Sequence, residues 1–343
     1  MPGVKSDMST TAASQGPQSI PGWVKFISDE DVTRVLTWDQ LLPAVRCSLV
    51  AFTQGSGHPQ GAVQPLRTWV KIPEHQGNMI VMPGLIKEES LVVKILTFFP
   101  NKAVPGQHHF NAIIMLMQSD TGIPLAVLQG RVITEMRTAA ASAVATIELL
   151  QGRKDVKDGS MIVAVLGAGD QGRSHARVMA HILKPEKIMV WSRRLESAKA
   201  LCAVLCGEGI PAEAVATVQE AVKEADVINS CTATSTPILK AEWVKPGAHI
   251  NSVGAPSPDK QEMEGDLVRS ATIYTDSYES AREESGDVIK YGAEVFGEIG
   301  EVILGRKPVQ RGTITIFKSL GLAVEDAASA KLVYDLIKAE ENH

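Results

Sequence analysis

The stretch MIVAVLGAGDQG, residues 161–172, decides the fold of this chain. It is an apolar run of strand type that ends in glycine and opens directly into a helical pattern. Gly167, Gly169 and Gly172 have the spacing G-x-G-x-x-G, which at a strand-to-helix turn is typical of a dinucleotide-binding loop. The first glycine permits the tight turn, the second lets the backbone approach a pyrophosphate, and the third lets helix and strand pack closely.

The helix N-terminus after this loop offers free N–H groups to a phosphate, whereas an ordinary glycine-rich turn is the alternative interpretation. We predict that six loop residues bind the cofactor: Gly167, Ala168, Gly169, Asp170, Gln171 and Gly172.

The second strand ends in Ser192-Arg193-Arg194 with no acid to hold a ribose 2′-hydroxyl. Arginine suits a 2′-phosphate, which favours NADP(H), unless these two side chains are merely solvated.

The segments on either side of the loop predict an α/β fold. From about residue 160, strands and helices alternate, which indicates a parallel sheet with helices on both faces. Short Val- and Ile-rich segments from about 60 to 130 predict a separate, strand-rich sheet. We expect an Ala-rich helix over 134–150 capped by Thr134, a helix opened by Ser28, and a C-terminal helix that packs back on the first sheet.

Composition narrows the class of protein. The 343 residues are 44% hydrophobic with a net charge of −5, so the chain can bury a core but offers no basic footprint for nucleic acid. An apolar run of about 18 residues, as a membrane span needs, is absent from the sequence. The four cysteines have neither zinc-ligand nor disulfide spacing, which predicts no metal site and a cytoplasmic location. Residues 1–24 are expected to form a disordered arm.

Several further segments point to one family when they are taken together. They are Gln64-Pro-Leu-Arg67-Thr, Lys94 within LVVKILTFF, Arg137-Thr-Ala-Ala, EWVKPGAHINSVGA, ESGDV and FKSLGLAVEDAASAKLVYD. With the loop, they resemble the ornithine cyclodeaminase/mu-crystallin family from about residue 26 to the C-terminal helix. The resemblance implies a Rossmann-type dinucleotide-binding domain, residues 134–321, inserted into a mixed α/β substrate and dimerisation domain. That second domain would comprise 25–133 and 322–343 and form a homodimer.

The resemblance also implies an activity: NADPH-dependent reduction of small cyclic ketimine carboxylates, of the pyrroline-2-carboxylate or piperideine-2-carboxylate type. Two alternatives stay open. One is an alanine-type amino-acid dehydrogenase acting on a 2-oxo acid and ammonia. The other, from a different class, is a thyroid-hormone-binding or structural lens protein, and hormone binding in the same pocket is compatible with catalysis.

Three cations are the predicted catalytic and substrate-binding residues. Arg67, expected in a strand, matches the family's ligand of the substrate carboxylate, although the pattern alone fits a surface arginine. Lys94 stands in a strongly apolar strand, where a charge is costly unless it is paired or faces a cavity. It would donate a proton or neutralise the carboxylate, unless strand alternation turns it to solvent. Arg137, expected in the first turn of the Ala-rich helix, is disfavoured there by the helix dipole and should therefore have an anionic partner.

The remaining predictions rest on the resemblance. Glu284 matches a residue that borders the ligand pocket, though alone it reads as a solvated acid. Cyclodeaminases carry an aspartate two residues after the glycine that matches Gly254, and this chain has Pro256 there, which argues for imine reduction instead. On the nicotinamide side of the cofactor site, we predict six binding residues, for which a packing role is the alternative: Thr232, Ala233, Val253, Lys318, Ser319 and Leu320. His109 is a further candidate, and the alternative is a loop histidine with no role in binding.

Overall fold

The computed structural model describes residues 24–99, 109–152 and 159–342, so all but the last residue of the predicted arm lies outside the described residues. The first part of the chain builds one sheet and the helices that cover it. Its elements are β1 (Lys25–Ile27), α1 (Asp29–Val35), α2 (Trp38–Gln54), β2 (Ala62–Val63), β3 (Thr68–Ile72), β4 (Gly77–Ile86), β5 (Ser90–Phe98), β6 (Phe110–Met117), β7 (Pro124–Gln129) and α3 (Arg131–Leu150).

The second part alternates strands and helices and returns to the first sheet with its last helix. Its elements are β8 (Ile162–Leu166), α4 (Asp170–Leu183), β9 (Lys187–Trp191), α5 (Leu195–Gly207), β10 (Ala212–Ala214), α6 (Val218–Val222), β11 (Val227–Ser230), β12 (His249–Ser252), α7 (Gly265–Ser270), β13 (Thr272–Thr275), α8 (Tyr278–Glu284), α9 (Gly286–Tyr291), β14 (Val295–Glu298), α10 (Ile299–Ile303), β15 (Thr315–Lys318) and α11 (Ala323–Glu341).

The first sheet has the strand order β1-β7-β6-β5-β4-β2, with β3 also paired to β4. All of its pairs are antiparallel except β1 with β7. Residues of β4 and β5 alternate between buried and partly exposed, as a sheet with one covered face requires. Helices α2, α3 and α11 cover the inner face. A Cβ on Gly84 of β4 would lie 3.0 Å from the Cβ of Ala323, so α11 packs very close to the strands.

The second sheet has eight parallel strands in the order β10-β9-β8-β11-β12-β15-β13-β14. The chain leaves β8 toward β9 on one side and later returns to pair β11 on the other side. Open parallel sheets bind their ligands at the carboxyl ends of the strands where the order reverses in this way. The predicted parallel sheet, with the glycine-rich loop at this point, is confirmed.

The predicted start of the Ala-rich helix is wrong by three residues. Helix α3 begins at Arg131 after the N-cap Gly130, and Thr134 is not a cap. The cap comes from another part of the chain, because Asp29 Oδ1 accepts a hydrogen bond from the Val132 N–H at 3.1 Å. Arg137 therefore lies in the second turn of the helix instead of the first. The helix opened by Ser28 is confirmed, with a capping box to Asp31.

The predicted C-terminal helix is also confirmed, and α11 packs on β4, β5 and β6. None of the helices within the described ranges is both long and apolar enough to cross a membrane. Nor do the described residues bring together three or more His, Cys, Asp or Glu side chains that could hold a metal ion.

Candidate active site

The glycine-rich loop has the shape that a bound pyrophosphate requires. Gly167 has φ +118°, and a Cβ there would lie 2.6 Å from the Cys231 carbonyl oxygen. A Cβ on Gly172 would lie 1.9 Å from the Gly167 carbonyl oxygen, whereas a Cβ on Gly169 would meet nothing within 4 Å. Gly169 is the N-cap of α4, and no side chain caps that helix end. The first-turn N–H groups are thus left to face a phosphate, and the loop fits a dinucleotide.

The end of β9 lies directly beside this loop, because the Gly167 N–H donates to the Trp191 carbonyl oxygen at 2.8 Å. Ser192, Arg193 and Arg194 follow this strand end, and both arginines are exposed. Among the described residues, neither guanidinium has an ion-pair partner. The side chains predicted to recognise a 2′-phosphate therefore follow the strand end beside the loop, and no ion pair within the described ranges occupies them.

A buried carboxylate that the sequence analysis missed joins the ends of β11 and β12. Glu262 Oε1 accepts hydrogen bonds from the Thr232 N–H and hydroxyl, each at 2.7 Å, and from the Ser230 hydroxyl. Its Oε2 accepts from the Gly254 N–H at 2.7 Å. Burial raises the pKa of Glu262, while the charge of Lys318 opposes that shift. Glu262 therefore holds in place the backbone next to Thr232, Ala233 and Val253.

Lys318, at the end of β15, is fully buried on the same edge of the sheet. Its Nζ lies 3.2 Å from the Ser252 hydroxyl and 3.7 Å from Asp287 Oδ2. Ser319 and Leu320, which follow, are also buried. The structure thus places the predicted nicotinamide-side residues along the carboxyl ends of β11, β12 and β15.

Arg67 lies just before β3 and not within a strand as predicted, since Pro65 interrupts the pattern. Its Nε is 2.8 Å from Glu284 Oε1, and its Nη2 donates to the carbonyl oxygens of Leu320 and Gly321 at 2.8 and 3.0 Å. Burial raises the pKa of Glu284, with the charge of Arg67 opposing this. The structure therefore brings two predicted site residues into direct contact.

Lys94 projects from β5 to the inner face and is fully buried. Its Nζ forms an ion pair with Asp326 Oδ2 at 2.6 Å. Burial lowers the pKa of Lys94 to about 7, the charge of Arg137 acts in the same direction, and the charge of Asp326 opposes both. A lysine with this pKa is suited to exchange a proton near neutral pH.

Arg137, also buried, bridges two adjacent carboxylates at the start of α11. Its Nε donates to Asp326 Oδ1 at 3.1 Å and its Nη1 to Glu325 Oε2 at 2.9 Å. The predicted anionic partner thus exists, although it belongs to the protein. Burial raises the pKa of Glu325 to about 7 against the lowering effect of Arg137. Gly321 has φ +81°, and a Cβ there would lie 2.4 Å from Arg137 Nη1.

The segment 320–326 is the meeting point of all three cations. The Leu320 and Gly321 N–H groups both donate to Asp276 Oδ2 at 2.7 Å, and these two hydrogen bonds fix the start of this segment. Gln64 Oε1 accepts from the Val324 N–H at 3.0 Å. We call this group of side chains the cation–carboxylate cluster. It consists of three cations, Arg67, Lys94 and Arg137, and four carboxylates, Asp276, Glu284, Glu325 and Asp326.

Sequence reasoning found the cations of this cluster but assigned no role to Asp276, Glu325 or Asp326. The two adjacent acids within the stretch LAVEDAASA were a usable signal, because acids in so apolar a helix require buried partners. Two other predicted site residues, Pro256 and His109, are not linked to this cluster by polar contacts within the described ranges. In the described part of the chain, no hydrogen bond or ion pair joins Pro256 or His109 to the cluster, and His109 is exposed with Nδ1 3.3 Å from the Phe99 carbonyl oxygen.

Comparison with known proteins extends over nearly the whole chain. The sequence profile of the ornithine cyclodeaminase/mu-crystallin family matches residues 24–341. A Mus musculus protein named ketimine reductase mu-crystallin is 43% identical over 316 residues, which cover 90% of this chain and 96% of that protein. The match to the family profile includes every strand and helix described above.

Two solved structures have the same fold. The Thermococcus litoralis Δ1-pyrroline-2-carboxylate reductase in complex with NADH and L-proline has a TM-score of 0.84 at 30% identity, covering 93% of this chain and 98% of that chain. An archaeal alanine dehydrogenase dimer with bound NAD has a TM-score of 0.83 at 27% identity, covering 93% and 97%. The predicted architecture, a Rossmann-type unit inserted into a mixed α/β unit, is confirmed.

Proposed function

The chain belongs to the ornithine cyclodeaminase/mu-crystallin family, and from this we propose that it reduces small cyclic ketimine carboxylates with a nicotinamide dinucleotide as reductant. Substrates would be rings of the pyrroline-2-carboxylate or piperideine-2-carboxylate type. The observation that carries the proposal is the convergence of Arg67, Lys94 and Arg137, from three separate parts of the chain, on residues 320–326. Such a group of cations suits a substrate that presents a carboxylate beside an imine.

Each cation has a separate task in this reaction. The guanidinium groups of Arg67 and Arg137 would bind the substrate carboxylate through the N–H groups that their protein partners do not already occupy. When bound, the reduced nicotinamide supplies the hydride. Lys94 would supply the proton for the new N–H bond, which forms with the electron pair of the C=N double bond once the imine carbon has taken up that hydride. The neutral Lys94 amine must then be protonated again before the next turnover.

Steady-state oxidation of NADPH and of NADH against a panel of cyclic ketimines, and of 2-oxo acids with ammonia, tests this function. The proposal expects turnover with a cyclic ketimine carboxylate and little with pyruvate and ammonia. The reverse pattern would favour an alanine-type dehydrogenase. That second candidate is supported by the likeness to the archaeal alanine dehydrogenase. Absence of turnover with every member of the panel would contradict both activities.

We further propose that NADPH is preferred to NADH, because Arg193 and Arg194 stand with Ser192 where an NAD-selective site has an acid. Replacing Arg193 with alanine should raise the KM for NADPH and leave the KM for NADH nearly unchanged. A charge-assisted contact of about 1.5–3 kcal/mol corresponds to roughly 10- to 150-fold. The KM values for both cofactors are measured at saturating ketimine, with Lys187→Ala at the start of the same strand as the control. Wild-type protein that used NADH equally well would disprove the preference.

Ornithine cyclodeamination should be absent. Pro256 follows β12 at the position where cyclodeaminases have an aspartate, and a proline offers no carboxylate to assist water or amine chemistry. Asp259, three residues further, is exposed and accepts a hydrogen bond from the Ser257 hydroxyl at 2.7 Å. We therefore expect no proline from ornithine in the presence of NAD, measured on a preparation that is active on a ketimine. Ammonia release in proportion to added protein would overturn this assignment.

We also propose that the outer face of the first sheet forms a homodimer. Ile113 of β6 pairs with Ile95 of β5, and Ile95 pairs with Val81 of β4, so apolar side chains continue across the strands. Ile113 is 47% exposed and Phe26 of β1 is 62% exposed. A contiguous exposed apolar face of this kind marks an interaction surface. Light scattering coupled to gel filtration measures the state, and a monomer at micromolar concentration would contradict the proposal.

The proposed boundary between the two domains falls within α3, a helix that contacts both sheets. We propose a substrate and dimerisation domain of residues 25–133 and 322–343, and a dinucleotide-binding domain of 134–321. Thyroid-hormone binding in the substrate pocket stays a prediction from the resemblance, as does a structural role in the lens. Equilibrium binding of the hormone, with and without a competing ketimine, tests whether the pocket is shared.

A further inference from the structure

We propose that Asp326 is a positioning residue of the reaction, which holds Lys94 Nζ inside the cation–carboxylate cluster and keeps its ammonium group charged. This inference rests on the proposed imine reduction, in which Lys94 gives up a proton. Asp326 itself touches protein cations and not the reacting atoms, so it acts through Lys94.

The geometry gives each carboxylate oxygen of Asp326 its own cation. Oδ2 lies 2.6 Å from Lys94 Nζ, and Oδ1 accepts the Arg137 Nε–H at 3.1 Å. Asp326 is fully buried in the first turn of α11, where the helix packs on β4 and β5. Because both oxygens are committed, rotation of the carboxylate would break one contact or the other. The position of the Lys94 ammonium is therefore set by the helix that carries Asp326.

The surroundings of Lys94 leave Asp326 as its source of negative charge by direct contact. On its own strand and on the paired strands, the neighbours on the buried face are apolar: Val92, Leu96, Met82 and Ile114. The charged groups that face it from other elements are Arg137 of α3, Arg67 before β3, and Asp326 with its neighbour Glu325 of α11. In the described part of the chain, Asp326 is the one carboxylate within ion-pair distance of Nζ.

Two guanidinium groups and burial all favour the neutral amine of Lys94. Without the charge of Asp326, nothing in contact would oppose them, and Lys94 would lose its proton at a lower pH. A neutral amine cannot protonate the imine nitrogen. The pH at which activity falls on the basic side should therefore depend on Asp326.

Glu325 provides a matched control in the adjacent position. It is also fully buried and also binds Arg137, since its Oε2 accepts the Nη1–H at 2.9 Å. Among the described residues, no hydrogen bond or ion pair joins it to Lys94. Glu325→Gln therefore removes one buried negative charge from the same cluster but leaves the Lys94–Asp326 pair in place.

The test is the pH profile of kcat between pH 5.5 and 9.5 for wild type, Asp326→Asn and Glu325→Gln, at saturating NADPH with piperideine-2-carboxylate. We expect Asp326→Asn to move the basic limb down by at least about one pH unit, which lowers kcat at pH 8 by roughly tenfold or more. Glu325→Gln should leave that limb in place and mainly raise the KM for the ketimine, because it disturbs Arg137. An unmoved limb in Asp326→Asn, or an equal shift in Glu325→Gln, would overturn the proposal.

Binding of pyrrole-2-carboxylate, followed by calorimetry in the presence of NADPH, gives a readout that does not depend on turnover. Asp326→Asn should bind this planar carboxylate about as tightly as wild type at pH 5, where Lys94 is charged in both proteins, and at least roughly tenfold more weakly at pH 8, because its Lys94 loses the proton at a lower pH. Equal weakening at both pH values would indicate a structural role only and would contradict the proposal.

A second substitution covers the case in which Asp326→Asn does not fold. Asp326→Glu keeps the charge but lengthens the side chain, so the basic limb should stay while kcat falls because the ammonium is displaced. Wild-type kcat in Asp326→Glu would overturn the positioning role. If wild type reduces no ketimine at any pH, the proposed function fails and this inference falls with it. If wild type is active and the limb does not move, only the role of Asp326 fails.

Discussion

Replacing Lys94 with methionine should lower kcat for ketimine reduction by at least roughly 100-fold, the lower end of what general acid catalysis contributes. Methionine keeps the length and the apolar contacts of the lysine stem and removes only the ammonium group. The site is fully buried among apolar strand residues, so the exchange is tolerated sterically. Asp326 retains its bond to Arg137 at 3.1 Å, which limits the cost to folding.

The measurement is kcat and KM at saturating NADPH, with cofactor affinity followed by fluorescence and folding by thermal denaturation. Cofactor affinity should stay near wild type, because the glycine-rich loop lies on the other sheet. Arg67→Lys is the comparison variant, since it keeps a charge but loses the bidentate fork, and its larger effect should be on the KM for the ketimine. A Lys94→Met protein within a few-fold of wild type would leave proton delivery to water or to another side chain such as His109.

Replacing Arg137 with methionine should give the largest loss of stability among these variants, about 3–5 kcal/mol at pH 8, because it leaves the buried carboxylate of Glu325 without a cation and removes one of the two cations of Asp326. Glu325 and Asp326 are both fully buried, and Arg137 is the guanidinium they share. Asp326 would keep Lys94, but Glu325 would keep no cation in contact among the described residues. Urea denaturation of both proteins at pH 8 measures the difference.

The loss should be smaller at pH 5.5, and the sign follows from Glu325. Its pKa is about 7 in the folded protein, above its ordinary value of 4.5, because burial disfavours its charged form. Between pH 4.5 and about pH 7, Glu325 binds more protons in the folded state than in the unfolded state, so the contribution of Glu325 to the free energy of unfolding falls as pH rises. Without Arg137, the pKa of Glu325 in the folded protein rises further, and the pH range of this destabilisation extends to higher pH. At pH 5.5 Glu325 is neutral in the variant, so the loss in free energy of unfolding is smaller there than at pH 8.

Arg46→Met is the control for this substitution. Arg46 of α2 also binds a glutamate of helix α3, since its Nε lies 2.8 Å from Glu148 Oε1, but its side chain is 47% exposed. Exposed pairs of this kind contribute about 0–1 kcal/mol. An equal loss for Arg137→Met at both pH values, or a loss no larger than that of Arg46→Met, would show that the buried carboxylates do not depend on Arg137.

What the sequence predicted well was local in the chain. The loop from Gly167 to Gly172 carries its signal within six residues, and the charge of Lys94 stands out because its strand neighbours are apolar. What it missed depends on distant partners. Thr134 had the right chemistry for a cap, but Asp29, about a hundred residues earlier, supplies that bond. The partners of Lys94 and Arg137 lie in α11, and periodicity predicted the helix without indicating which strands its acids face.

The position of α11 has a consequence for how the protein is made. The strands of the first sheet are complete at Gln129, but the helix that covers their inner face begins at Ala323, roughly 190 residues later. At ordinary rates of translation this interval takes on the order of 10 to 40 s, during which the nascent sheet lacks part of its core. The glycine-rich loop and its parallel strands leave the ribosome before Asp326 does. A nascent chain therefore acquires the elements that hold a dinucleotide before it has a proton donor in place, and a chain interrupted before residue 326 never completes the site.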